Sequence, residues 1–115
     1  MAGRFNPFGR RRPKYGNRKV TDPASGRTFD SKREYTRWLQ LSLLQKAGAI
    51  SELEHHPPAI ELVVNGVLVC KYEPDFVYRE RGERVIEDTK GVRTKEYVLK
   101  RKLLFAVHGI TIRET

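Results

Sequence analysis

Asn65-Gly66 constrains this chain more than any other pair of residues. Both central positions of a two-residue type I′ turn need positive φ, which asparagine and glycine adopt most readily. Ala59 to Val64 and Val67 to Tyr72 flank the pair, so a β-hairpin is expected there. Pro74 then bends the chain, and Asp75 to Tyr78 with Val85 to Thr89 form a second hairpin about Arg81-Gly82. Ile50 to His55 is a preceding strand ended by Pro57-Pro58, which makes the region a meander. Helices bracket it. Ser31-Lys32-Arg33-Glu34 fits a capping box, no breaker interrupts the run to Leu44, and Gly48 stands where a C-terminal cap belongs. Tyr35, Trp38, Leu39 and Leu43 fall on one helical stripe, and Leu41 and Leu44 widen it. That width predicts two covering layers or a second subunit. A turn over Asp22 to Gly26 leads in, and a second helix from Thr94 to Val107, stopped by Gly109, precedes a last strand at Ile110 to Arg113.

A length of 115 residues with 38% hydrophobic residues suits one small domain with a real core. No apolar run approaches the roughly 18 residues of a membrane span. The start, Met1-Ala2-Gly3-Arg4, lacks a secretory stretch, so a soluble, cytoplasmic protein is expected. Cys70 is the single cysteine, which excludes an internal disulfide and a Cys-based zinc knuckle. The net charge of +9 points to a polyanion, most often nucleic acid. Much of that excess lies in residues 1–19, where Arg4, Arg10, Arg11, Arg12, Lys14, Arg18 and Lys19 precede the first acid, Asp22. This stretch reads as a flexible DNA-binding arm or a solubilising terminus, ahead of one domain over residues 20–115.

If the second hairpin turns symmetrically through two or four residues, Asp75 lies opposite Asp88. Opposed side chains have Cβ atoms about 4.5–5.5 Å apart, where like charges repel unless a cation intervenes. Strand alternation puts Lys90 on the face of Asp88 and turns Glu87 and Thr89 to the other. An odd loop would oppose Asp75 with Glu87 or Thr89 instead. Two carboxylates with a nearby amine suit Mg²⁺, which prefers carboxylate and water oxygens and leaves room for phosphate. A salt-bridged hairpin, with Lys90 on Asp88 or Glu73, is the plainer alternative. Of the other chemistry-bearing residues, His55 and His56 are expected at a strand end facing opposite ways, and His108 at a helix C-terminus. Cys70 is expected in the core.

Glu73-Pro74-Asp75-Phe76 with Ile86-Glu87-Asp88-Thr89-Lys90-Gly91 resembles the PD-(D/E)xK signature of restriction-endonuclease-like nucleases. Adding Thr28 to Glu34, Ile50-Ser51-Glu52-Leu53 and Val92-Arg93-Thr94, the ordered set is similar to small phage-encoded nucleases related to Holliday junction resolvases, over residues 28–104. The resemblance implies an α/β fold, an αβββαβ core with a mixed sheet flanked by helices. It makes Asp75 the bridging metal ligand, Asp88 the acidic position of the second element and Lys90 the catalytic lysine. The carbonyl of Thr89 is a further implied ligand, and Glu34 an implied metal-site glutamate, although the capping box accounts for Glu34 without catalysis. Adjacent Glu87 and Asp88 leave the acidic ligand open, with alternation favouring Asp88.

The expected function is a Mg²⁺-dependent endonuclease, Mn²⁺ substituting, that acts as a homodimer on four-way or other branched DNA in a host cytoplasm. Arg10, Arg11, Arg12, Lys14, Arg18, Lys19, Arg93 and Lys95 are the candidate phosphate contacts. A non-catalytic nucleic-acid-binding protein and a same-fold nuclease nicking non-junction DNA are the alternatives.

Overall fold

The computed structural model describes residues 18–90 and 93–115, and it falls into two compact units, one ending at Tyr35 and one spanning Thr36–Thr115. Compactness therefore divides the chain at Tyr35, whereas the break in charge lies at residue 19. Arg10, Arg11, Arg12 and Lys14 lie outside the described residues.

In the first unit, β1 (Val20–Thr21) and β2 (Thr28–Phe29) pair antiparallel, Val20 opposite Phe29. Asp22 closes the turn between them. Its Oδ2 accepts from the Ser25 N–H (3.1 Å) and hydroxyl (2.7 Å), and its Oδ1 from the Tyr35 hydroxyl (2.9 Å). Those donors hold the Asp22 carboxyl below the ordinary aspartate range. Helix α1 (Lys32–Lys46) starts in this unit. The Glu34 N–H donates to Ser31 Oγ at 3.1 Å, as a capping box requires. Its carboxylate reaches one residue further back than expected, to the Asp30 N–H at 3.2 Å.

The second unit is built on a mixed four-stranded sheet of β3 (Ser51–His55), β6 (Phe76–Glu80), β7 (Glu83–Asp88) and β8 (Ile112–Glu114), in that spatial order. The first two pairings are antiparallel and β7–β8 is parallel. Between β3 and β6 the chain makes β4 (Ile60–Val64) and β5 (Val67–Tyr72), whose turn puts Asn65 at φ 51° and Gly66 at φ 78°. The meander expected from sequence is corrected here: β4 and β5 form a sheet of their own, and β6 pairs with β3. Pro57-Pro58 and Pro74, which cannot donate to a ladder, isolate the hairpin. Helix α2 (Lys95–His108) connects β7 to β8. Thr94 Oγ1 caps it by accepting from the Tyr97 N–H (3.0 Å), and Gly109 ends it at φ 70°.

Alternation along the strands divides the core. Phe76 and Tyr78 face α1 and pack with Leu41, Ile50, Trp38 and Val85. Val77, Ile86 and Ile112 face α2 and the β4–β5 hairpin, meeting Tyr97, Leu104, Leu62 and Tyr72. The expected stripe of α1 also needs correcting. Leu41 is fully buried, while Leu39 and Leu43 are 43% and 68% exposed. The inward face carries Arg37 beside Trp38 and Leu41, and an apolar count assigns a charged residue to the outside. Leu39 stands about 160° round the axis from Leu41. Among the described residues no helix is long and apolar enough to cross a membrane.

Candidate active site

The β6–β7 turn is the two-residue kind, with Arg81 at φ 54° and Gly82 at φ 80° between paired Glu80 and Glu83. The ladder runs without a slip to Phe76 opposite Glu87. Asp75 and Asp88 are the next residues beyond that last pair, and the Thr89 N–H donates to Asp75 Oδ2 at 2.8 Å. Asp88 is 2% exposed. Its Oδ2 accepts from the Tyr72 hydroxyl at 2.5 Å and lies 3.3 Å from Lys90 Nζ. The ammonium of Lys90 also sits 4.2 Å from the centre of the Tyr97 ring. Burial first, then the hydrogen bond and charge of Asp88, push the Tyr72 hydroxyl far above the ordinary tyrosine range, and the charge of Asp75 adds to this.

Extension of the parallel β7–β8 ladder braces the end of β7. The Thr115 N–H donates to the Asp88 carbonyl (3.0 Å) and the Lys90 N–H to the Thr115 carbonyl (3.1 Å). Tyr72, Asp88, Lys90 and Tyr97, with Lys71 and Lys100, line an open cleft of about 360 Å³. Glu114 stands behind it, accepting from the Tyr97 hydroxyl at 2.6 Å and pairing with Arg93 and Arg101. The Tyr97 bond, ahead of the arginine charges, holds Glu114 below the ordinary glutamate range.

Glu87 points to the other face. It is fully buried, and Arg37 grips it with Nε on Oε2 (2.6 Å) and Nη2 on Oε1 (3.0 Å). The Tyr78 hydroxyl adds a bond at 2.6 Å and Thr115 one at 3.3 Å. The structure therefore does not bring Glu87 to Asp88 and Lys90. Its bidentate pair with Arg37 is an internal bond of the fold. Asp75 meets Thr89, through the Thr89 N–H rather than its carbonyl, and Asp88 meets Lys90. Glu34 belongs to the first unit, 3% exposed and bonded as a cap.

Of the candidate phosphate contacts, Arg18, Lys19, Arg93 and Lys95 are exposed, and Arg93 also pairs with Glu114. His55 and His56 do not face opposite ways. His56 adopts φ 53°, which breaks the alternation and stacks the two rings with centroids 3.9 Å apart. The His56 N–H donates to the Asp75 carbonyl at 2.9 Å, so this kink anchors the start of β6. His108 ends α2, and its Nε2 lies 2.9 Å from the Glu61 carbonyl oxygen. Cys70 is half-buried against the α2-side core.

Sequence reasoning missed Tyr72, Tyr97 and Arg37. Tyr72 lies inside the motif Tyr72-Glu73-Pro74-Asp75-Phe76, yet nothing local indicates that its hydroxyl meets a carboxylate from β7.

The sequence matches the DUF1064 family, proteins of unknown function, over residues 12–114. The chain belongs to that family. No curated protein is significantly similar to it.

Proposed function

We propose that this DUF1064 chain is a metal-dependent DNA endonuclease of the restriction-endonuclease-like PD-(D/E)xK kind, acting on branched DNA as a homodimer. The observation that carries the reading is the placement of Asp75 and Asp88 just beyond the last pair of one hairpin, both acting on the Tyr72 hydroxyl, with Lys90 3.3 Å from Asp88. Its element order supports the fold assignment: α1, β3, β6, β7, α2 and β8 follow the αβββαβ sequence once the β4–β5 insertion is set aside. The net charge of +9 supports a phosphate-bearing substrate.

The donor set fits a hard divalent cation such as Mg²⁺ or Mn²⁺, which takes one or two carboxylates and keeps waters for exchange with phosphate. Asp75 and Asp88 would hold it, with the Thr89 carbonyl as a further oxygen. Glu34 stays a proposed third carboxylate on the family resemblance alone. A bound cation supplies positive charge against the scissile phosphate and makes a water more acidic. Lys90 places a fixed ammonium beside the reacting phosphate, neutralising charge that develops there. The Tyr97 ring and Asp88 keep that ammonium from swinging into solvent.

A second reading, a non-catalytic DNA-binding protein, draws on the same Lys90–Asp88 pair, since an ammonium on Asp88 already balances its charge. One assay separates the two. Wild type and Asp75→Ala are incubated with four-way junction, duplex and single-stranded DNA in Mg²⁺ or Mn²⁺. Cleavage by wild type, with junction cut fastest, and binding without cleavage by Asp75→Ala are the expected results. A wild type that binds every substrate and cuts none overturns the enzyme reading. Equal cutting of duplex and junction overturns the substrate assignment.

A further inference from the structure

Tyr72 is almost wholly buried, its ring wedged with Leu62, Val77, Ile86 and Leu104 between the β4–β5 hairpin, the main sheet and α2. A phenylalanine would fill that space equally well, and a buried hydroxyl is unfavourable unless it is bonded. Here it donates to Asp88 Oδ2 at 2.5 Å, the same oxygen that Lys90 approaches at 3.3 Å. The terminal torsion of an aspartate is broad, so an unanchored carboxylate would turn either oxygen to the ammonium. With a fixed ring behind it, the Tyr72 hydroxyl removes that freedom.

We infer that Tyr72 is a positioning residue for Asp88, holding the carboxylate by Oδ2 so that Oδ1 is the oxygen offered to a divalent cation. The inference rests on the metal-dependent reading of the cleft. Ligand carboxylates are commonly oriented by such outer hydrogen bonds. Tyr78 gives the internal comparison: it donates to Glu87 at 2.6 Å, but Arg37 takes both oxygens of that carboxylate, so the Tyr78 bond orients nothing for a ligand.

Calorimetric titration with Mn²⁺ in the absence of DNA tests this on wild type, Tyr72→Phe and Tyr78→Phe, each checked by thermal melting. Tyr72→Phe is expected to weaken Mn²⁺ binding about 10–100-fold while Tyr78→Phe binds as wild type does. Unchanged affinity in Tyr72→Phe, or equal weakening in both variants, overturns the positioning role. A wild type that takes up no Mn²⁺ overturns the metal reading itself and the inference with it. Should Tyr72→Phe fail to melt cooperatively, NMR of the wild-type hydroxyl proton of Tyr72 decides. Its slowly exchanging resonance is expected to persist in saturating Mg²⁺, and its disappearance on addition of the ion overturns the role.

Discussion

Glu87 and Asp88 end the same strand, both buried and both bonded to a tyrosine hydroxyl, but they meet different cations. Glu87, on the α1 side, is gripped by a guanidinium whose planar fork occupies both carboxylate oxygens. Asp88, on the α2 side, meets a single ammonium on one oxygen, at the wall of an open cleft. The fork makes a closed bond suited to holding the sheet against α1. The lone ammonium leaves a carboxylate that can exchange partners. Two neighbouring acids of near-identical chemistry are thus divided into a structural role and a proposed chemical one by strand alternation and by the partner each face supplies.

The contrast breaks most sharply under paired substitution. Asp88→Asn keeps the shape and an acceptor for Tyr72 but loses the charge. It is expected to slow junction cleavage by at least about 1000-fold, equivalent to about 4 kcal/mol of barrier. Its unfolding free energy should move by no more than about 1 kcal/mol. Glu87→Ala leaves Arg37 without its partner and should cost about 3 kcal/mol in urea unfolding. Cleavage by the fraction that remains folded should persist. A folded Glu87→Ala as inactive as Asp88→Asn would erase the distinction.

A smaller effect sharpens the comparison on the α2 face. Because the folded-state pKa of Glu114 is depressed, its contribution to stability is complete above the unfolded value near 4.5 and is lost as pH falls through the lower folded value. The acid limb of wild-type stability should therefore steepen below about pH 4.5, and Glu114→Gln should flatten it. Identical acid limbs would remove Glu114 from the support of Tyr97. Smallest is Gly82→Ala. Nothing lies within 4 Å of the added methyl, but φ +80° strains any L side chain, at about 1–2 kcal/mol. Unfolding in urea measures that loss, and cleavage should stay at the wild-type rate because the register is unchanged.

Features governed by local chemistry were legible in the sequence. The Asn65-Gly66 and Arg81-Gly82 turns, the Ser31 cap and the Gly109 stop lie where turn and capping chemistry put them. Given a two-residue loop at Arg81-Gly82, one of the lengths the sequence allowed, the register brings Phe76 opposite Glu87, and alternation puts Lys90 on the side of Asp88. Long-range pairing was not legible: no short-range signal tells β6 to leave β5 and join β3. Arg37 hid the true inward face of α1, because its reason for being there is Glu87, fifty residues later. Tyr72 was hidden for the same reason, since its partner arrives from β7.

The tight turn at Arg81-Gly82 also governs how the chain tolerates insertions and deletions. Side chains of a strand alternate with period two, so one added or deleted residue that shifted the pairing of β6 with β7 by a single step would send the Arg37-bound acid into the cleft and bury the other under α1. Length changes at this loop are therefore harmless where the longer loop absorbs them and the pairing is kept, and exchange the two acids where the strands slip by one.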